Sequence, residues 1–110
     1  MDINLVVICG LVAVTPEVSV LESGTRVIRL LLTVHAREPR WRIDVLPVTM
    51  SDPPDDLVDP ALEIASPVMV VGSVQRRMWD VPAGRKSRME IIAHFAARRD
   101  ADEPVSPLAD

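Results

Sequence analysis

Val68-Met69-Val70-Val71-Gly72-Ser73-Val74-Gln75-Arg76-Arg77-Met78-Trp79 is the stretch from which the rest of the chain is read. Its first four residues are an apolar, mostly β-branched run of the kind that forms a strand. If the strand continues to Trp79, its side chains alternate between two faces. One face then carries Val70, Gly72, Val74, Arg76 and Met78, and the other Val71, Ser73, Gln75, Arg77 and Trp79. The second face ends in an amide, a guanidinium and a large aromatic plate, successive groups about 6–7 Å apart. Those groups suit holding a phosphate and stacking a base. A strand end with solvated arginines and a half-buried Trp uses the same residues, so the stretch leaves both readings open.

Composition narrows the setting. A chain of 110 residues makes one domain with one real core. Trp41, Trp79 and Phe95 are the only aromatics, so the core is built from Val, Ile, Leu, Met and Ala. Such valine-rich alternating runs favour β structure. The net charge of −4 divides unevenly. Residues 1–99 hold 12 basic and 12 acidic side chains, and the other four acids are Asp100, Asp102, Glu103 and Asp110. A neutral body leaves the spatial clustering of charge, rather than its sum, to decide whether a polyanion binds.

Other classes recede. Cys9 is the only cysteine, so no internal disulfide forms, and it reads as a small packed hydrophobe. His35 and His94 have no neighbours at metal-ligand spacing, and no metal or cofactor is expected. No nucleophile–base pair, catalytic carboxylate pair or glycine-rich phosphate loop is evident, so an enzyme is not expected. Met1-Asp2 is not the basic start of a signal peptide, and no apolar run reaches the ~18 residues of a membrane span. The expected compartment is the cytoplasm.

Taken in order, Ile3 to Val14 reads as a strand apolar on both faces, bent or bulged at Gly10, where another backbone approaches. Thr15-Pro16-Glu17 breaks it, Val18 to Leu21 extends it, and Ser23-Gly24 turns. Arg26 to His35 is the second strand, with Ile28, Leu30, Leu32 and Val34 as its core face. Its other face carries Arg29 and His35, candidate phosphate contacts. Trp41 to Val48 is the third, its ladder limited by Pro47. Ser51 to Asp56 offers an N-cap to a short helix over Leu57–Ala65. After the Val68–Trp79 strand, Asp80 to Ser87 reads as a hairpin loop with a basic tip. Arg88 to Ala97 reads as the last strand, with Met89, Ile91, Ala93 and Phe95 on one face; its Ala-rich end also suits a helix. Residues 100–110 read as a short disordered acidic tail after a domain spanning 1–99. Five strands with a short helix between the third and fourth is the order of an all-β OB-fold barrel.

Several short motifs follow one another along the chain. They are Asn4-Leu5-Val6-Val7-Ile8-Cys9-Gly10, Thr15-Pro16-Glu17, Gly24-Thr25-Arg26-Val27-Ile28-Arg29-Leu30, Trp41-Arg42-Ile43-Asp44-Val45, Gly72 to Trp79, and Glu90-Ile91-Ile92-Ala93. In that order they resemble bacterial single-stranded DNA-binding protein, and the resemblance covers about residues 3–96. The resemblance implies binding of single-stranded DNA, in replication, recombination or repair, with no sequence preference. It implies that Trp41 and Trp79 stack on bases, that Gln75 and Arg77 touch the strand, and that Arg85, Lys86 and Arg88 sit in a loop that embraces it. It further implies a homo-oligomer, dimer or tetramer, built through the first strand. Clustering of Arg29, Arg37, Arg40, Arg42, Arg77, Arg85 and Arg88 on one side is expected if DNA is the ligand.

The chain departs from the family at Pro47, where a further aromatic is often found, and in a shorter tail that ends Pro107-Leu108-Ala109-Asp110 without a terminal Phe. Recruitment of partners through that tail is accordingly not expected. The short tail also resembles an accessory OB-fold protein of the primosomal replication type. A protein-binding OB-fold module is the third reading.

Overall fold

The computed structural model describes residues 1–100. It contains β1 (Val6–Val12), β2 (Glu17–Val20), β3 (Arg26–Ala36), β4 (Arg42–Ser51), α1 (Asp55–Val58), β5 (Pro67–Val81) and β6 (Gly84–Arg98). The strands form one sheet in the order β1-β5-β6-β4-β3-β2, and β1 also pairs with β3, so the sheet closes on itself as a barrel. All pairings are antiparallel except β4 with β6. β1 and β2 lie end to end along β3: Leu11 and Val12 face Thr33 and Leu32, and Glu17 to Val20 face Arg29 to Arg26. They correspond to the expected first strand and its short extension, parted around Pro16, which has no N–H to donate. The five-strand OB-fold order with one helix between the third and fourth strands is present. Residues 101–110, most of the expected acidic tail, lie outside the described residues.

Gly10 makes the barrel closure workable. There β1 passes from β5 to β3, and a Cβ on Gly10 would lie 2.7 Å from the Thr33 carbonyl oxygen. The close backbone approach expected at this glycine is met. The core comprises Ile8, Val12, Ile28, Leu30, Leu32, Val48, Met50, Val68, Val70, Ile91, Ala93 and Ala96, with Leu57 and Leu62 from the α1 region. Alternation on β3 places Ile28, Leu30 and Leu32 inside, as read from the sequence.

Five local expectations are corrected. The helix is one turn, Asp55–Val58, rather than Leu57–Ala65, because Pro60 cannot donate to the next carbonyl. The freed Asp56 carbonyl instead accepts from Arg98 Nε at 2.8 Å, and Arg98 also donates to the Pro60 carbonyl. The N-cap position is Pro54, with no side-chain cap; Arg26 ties the helix down through Asp55 at 2.6 Å. β4 runs through Pro47 to Ser51, since at Pro47 its only partner is Leu31 of β3, and β6 joins only at Val48 and Thr49.

The other two concern the last hairpin. The expected loop over Asp80–Ser87 is mostly strand, turned by Pro82-Ala83 alone, with Gly84 at φ +134° where a side chain is disfavoured. Beyond it, Arg88 to Ala97 is strand, not helix, but it is bulged. Val71 faces Phe95 whereas Gly72 faces Ala93, which leaves His94 as the extra residue. The bulge reverses the alternation, so Phe95 is turned out, 49% exposed, and Ala96 fills the core instead. Gly72 sits against the bulge, where a Cβ would lie 2.0 Å from the Ile92 carbonyl oxygen. No helix among the described residues is long and apolar enough to cross a membrane.

Candidate nucleic-acid interface

Beyond Gly72, β5 and β6 continue together as a two-stranded ribbon to the turn at Pro82-Ala83. Residues directly opposite in an antiparallel pair share a face. Gln75 is opposite Glu90, Arg77 opposite Arg88, and Trp79 opposite Lys86. One ribbon face therefore carries an amide, two guanidiniums, an ammonium and an indole; alternation along β5 predicts the amide, one guanidinium and the indole, and the register adds Arg88 and Lys86. Trp79 is 40% exposed, and a shallow depression runs between Arg77, Met78, Trp79 and Arg88.

Arg88 links this face to the side of the barrel. It lines a second depression with Thr15, Glu17, Arg29, Pro47 and Thr49, over a floor that includes Leu31. Arg29 lies between Glu17 and Thr49 in register and donates to Ser19 Oγ at 3.2 Å. The same side of β4 continues as Val45, Ile43 and, just before the strand, Trp41. All three are more than half exposed, an apolar strip on which flat rings can lie. Arg37 stands over Trp41, its guanidinium carbon 5.3 Å from the ring centroid, a cation–π geometry. Arg40 is exposed in the same loop.

Not every expected residue joins this surface. Arg42 lies on the opposite face of β4 and grips Asp44 with both Nε (3.1 Å) and Nη2 (2.9 Å). That hydrogen bonding and charge hold its guanidinium more firmly protonated than usual. Arg85 faces Asp80 at 3.1 Å on the reverse of the ribbon, away from Trp79 and Lys86. His35 is the register partner of Ile43, so it stands on the face of the apolar strip, six residues along β3 from Arg29, and it also lines a depression with Cys9, Leu11, Thr33 and Arg99. The one-sided cluster of arginines thus reduces to Arg29, Arg77 and Arg88, with Arg37 at the Trp41 end.

Two residues matter here whose roles are silent in the sequence. Asn4 precedes β1, and its carboxamide imitates a backbone. It donates to the Val74 carbonyl at 2.7 Å and accepts from the Val74 N–H at 2.9 Å, one step beyond the Val6–Gly72 pair. The ribbon is thereby pinned immediately before Gln75. Glu90 is buried among the cations: it accepts from Thr49 Oγ1 at 3.1 Å and has Arg77 at 3.8 Å and Arg88 at 4.0 Å. Asn at a strand start and Glu before an apolar run were the available signals, but each has commoner explanations. Among the described residues no group of three or more His, Cys, Asp and Glu is placed to hold a metal.

The fold is that of known single-stranded DNA-binding proteins. It matches a Plasmodium falciparum SSB solved in complex with ssDNA at TM-score 0.75 and 22% identity, covering 91% of this chain and 97% of that one. It matches the wild-type single-stranded DNA binding protein of Thermus aquaticus at TM-score 0.78 and 18% identity, covering 91% of this chain and 52% of that one. No curated protein sequence matches significantly. The sequence model of the single-strand binding protein family matches residues 3–98, and this chain belongs to that family.

Proposed function

We propose that this chain binds single-stranded DNA without sequence preference, in replication, recombination or repair. Bases stack on Trp79 and Trp41, and phosphates are held by Arg77, Arg88, Lys86 and Arg29. The observation that carries this reading is the register of the ribbon, which puts Gln75, Arg77 and Trp79 on one face with Arg88 and Lys86. Stacking tolerates any base because every base has a π-face, and arginine forks suit phosphate. Binding on this surface needs no bond making or breaking.

The chain works as a homo-oligomer joined through β1. The outer face of β1 exposes Val7 and Leu11, continued by Leu5, and Phe95 is exposed on the same sheet. From Val6 to Gly10, β1 is paired on one edge only, to β5. An apolar strand with an open edge favours pairing with a second copy. Val7→Arg is expected to shift the sedimentation coefficient to that of a monomer.

Titration of Trp fluorescence with oligo-dT at low and moderate salt tests the central reading. Strong quenching is expected, with a log–log salt slope of about −3.5 for about five phosphate contacts. Absence of both quenching and binding at low salt rejects it and leaves the barrel as a protein-binding module.

A further inference from the structure

We infer that Glu90 is the positioning residue of this face, holding Arg77 and Arg88 aimed at the DNA strand; the inference rests on the single-stranded DNA reading above. Glu90 is the buried charged residue among the described residues, only 5% exposed. A carboxylate so placed is costly unless each oxygen is partnered. Its partners come from three strands. Thr49 Oγ1 on β4 donates to Oε2 at 3.1 Å, Arg77 Nε on β5 stands 3.8 Å from Oε1, and Arg88 Nη2 on β6 stands 4.0 Å from Oε2.

The register explains why a carboxylate is needed there. Arg77 and Arg88 are directly opposite one another, and like charges so placed repel. Glu90, one step along the same face, draws both guanidiniums toward the barrel. At 3.8 and 4.0 Å they are steered by charge rather than locked by short hydrogen bonds. Their side chains stay half exposed, 54% and 50%, so each is oriented and still open to a phosphate. Thr49 fixes the carboxylate itself, and Thr49 is the register partner of Arg29. Glu90 thus ties the ribbon arginines to the arginine on the barrel wall.

Loss of the Glu90 carboxylate has opposite expected effects by positioning and by charge alone. Removing a carboxylate from a phosphate-binding face strengthens binding by charge alone. Positioning predicts the reverse, because two arginines with large rotamer freedom must then be ordered by the DNA. The experiment is an oligo-dT titration of the full chain as wild type, Glu90→Gln, the double variant Arg77→Gln/Arg88→Gln, and the triple variant. Glu90→Gln is expected to weaken binding about five-fold when both arginines are present and to change nothing when both are gone, the mark of coupled residues.

Equal factors in the two backgrounds, or tighter binding by Glu90→Gln, overturn the inference. Should Glu90→Gln not fold, Thr49→Val keeps the charge and removes the hydrogen bond. It is expected to weaken binding about two-fold only with the arginines present, and no change overturns the inference. A wild type that ignores oligo-dT rejects the DNA reading and this role with it. A wild type that binds, with an additive cycle, rejects the role of Glu90 alone.

Discussion

The two faces of the β5–β6 ribbon carry similar numbers of charges but use them differently. On the reverse face Arg85 is matched by Asp80 and Arg76 donates to Ser87 Oγ at 3.0 Å, each cation satisfied by an exposed neighbour across the ladder. On the front face Arg77 and Arg88 share one buried carboxylate, so positive charge exceeds negative, and Trp79 and Lys86 lie beyond them. The difference shows that a count of arginines says little about a polyanion site. What counts is whether their counter-charges are exposed and competing, or buried beneath them.

The largest effect is expected where the ribbon leaves the barrel. Gly72→Ala forces a Cβ onto the Ile92 carbonyl and should cost about 3 kcal/mol, or about 10–20 °C in Tm by calorimetry. Trp79→Ala should lose about 1–3 kcal/mol of oligo-dT affinity and most of the fluorescence quenching, with the fold intact by circular dichroism. Arg77→Ala should weaken binding about five-fold and flatten the log–log salt slope by about 0.7, the loss of one phosphate contact.

Asn4→Ala removes the clamp on Val74 and should cost about 1 kcal/mol of stability in urea, with a smaller loss of affinity. Smallest of all, Arg85→Ala should change affinity by no more than about two-fold, because its charge is already matched by an exposed carboxylate. If Arg85→Ala weakens binding as much as Arg77→Ala, the contrast between the faces is lost.

Much of this surface could be read before the fold was seen. Period-two alternation is a property of any extended strand, so Gln75, Arg77 and Trp79 share a face whatever the strand packs against. The same logic placed Ile28, Leu30 and Leu32 inside. Alternation failed on β6, where one extra residue, His94, sends Phe95 to the surface. Nothing local distinguishes that bulge, which arises where β6 passes Gly72. Asp80, Pro82, Gly84 and Ser87 are all turn-favouring residues and suggest a wide loop, yet the turn needs only Pro82 and Ala83.

Sequence alone therefore indicates the main strands, the inward face of β3 and the cationic-aromatic arm on β5, since each follows from residue type and spacing within one segment. The chain fold had to be seen for everything that depends on register between segments. A two-residue turn puts Arg88 and Lys86 opposite Arg77 and Trp79 and sends Arg85 to the reverse face. Register with β4 sets His35 beside Ile43, at the Trp41 end of the surface rather than beside the ribbon arginines. The meeting of β4, β5 and β6 buries Glu90 among Thr49, Arg77 and Arg88. These are pairings between residues up to 41 positions apart, as Thr49 and Glu90 are, and only the packed sheet brings them within reach of each other's charge.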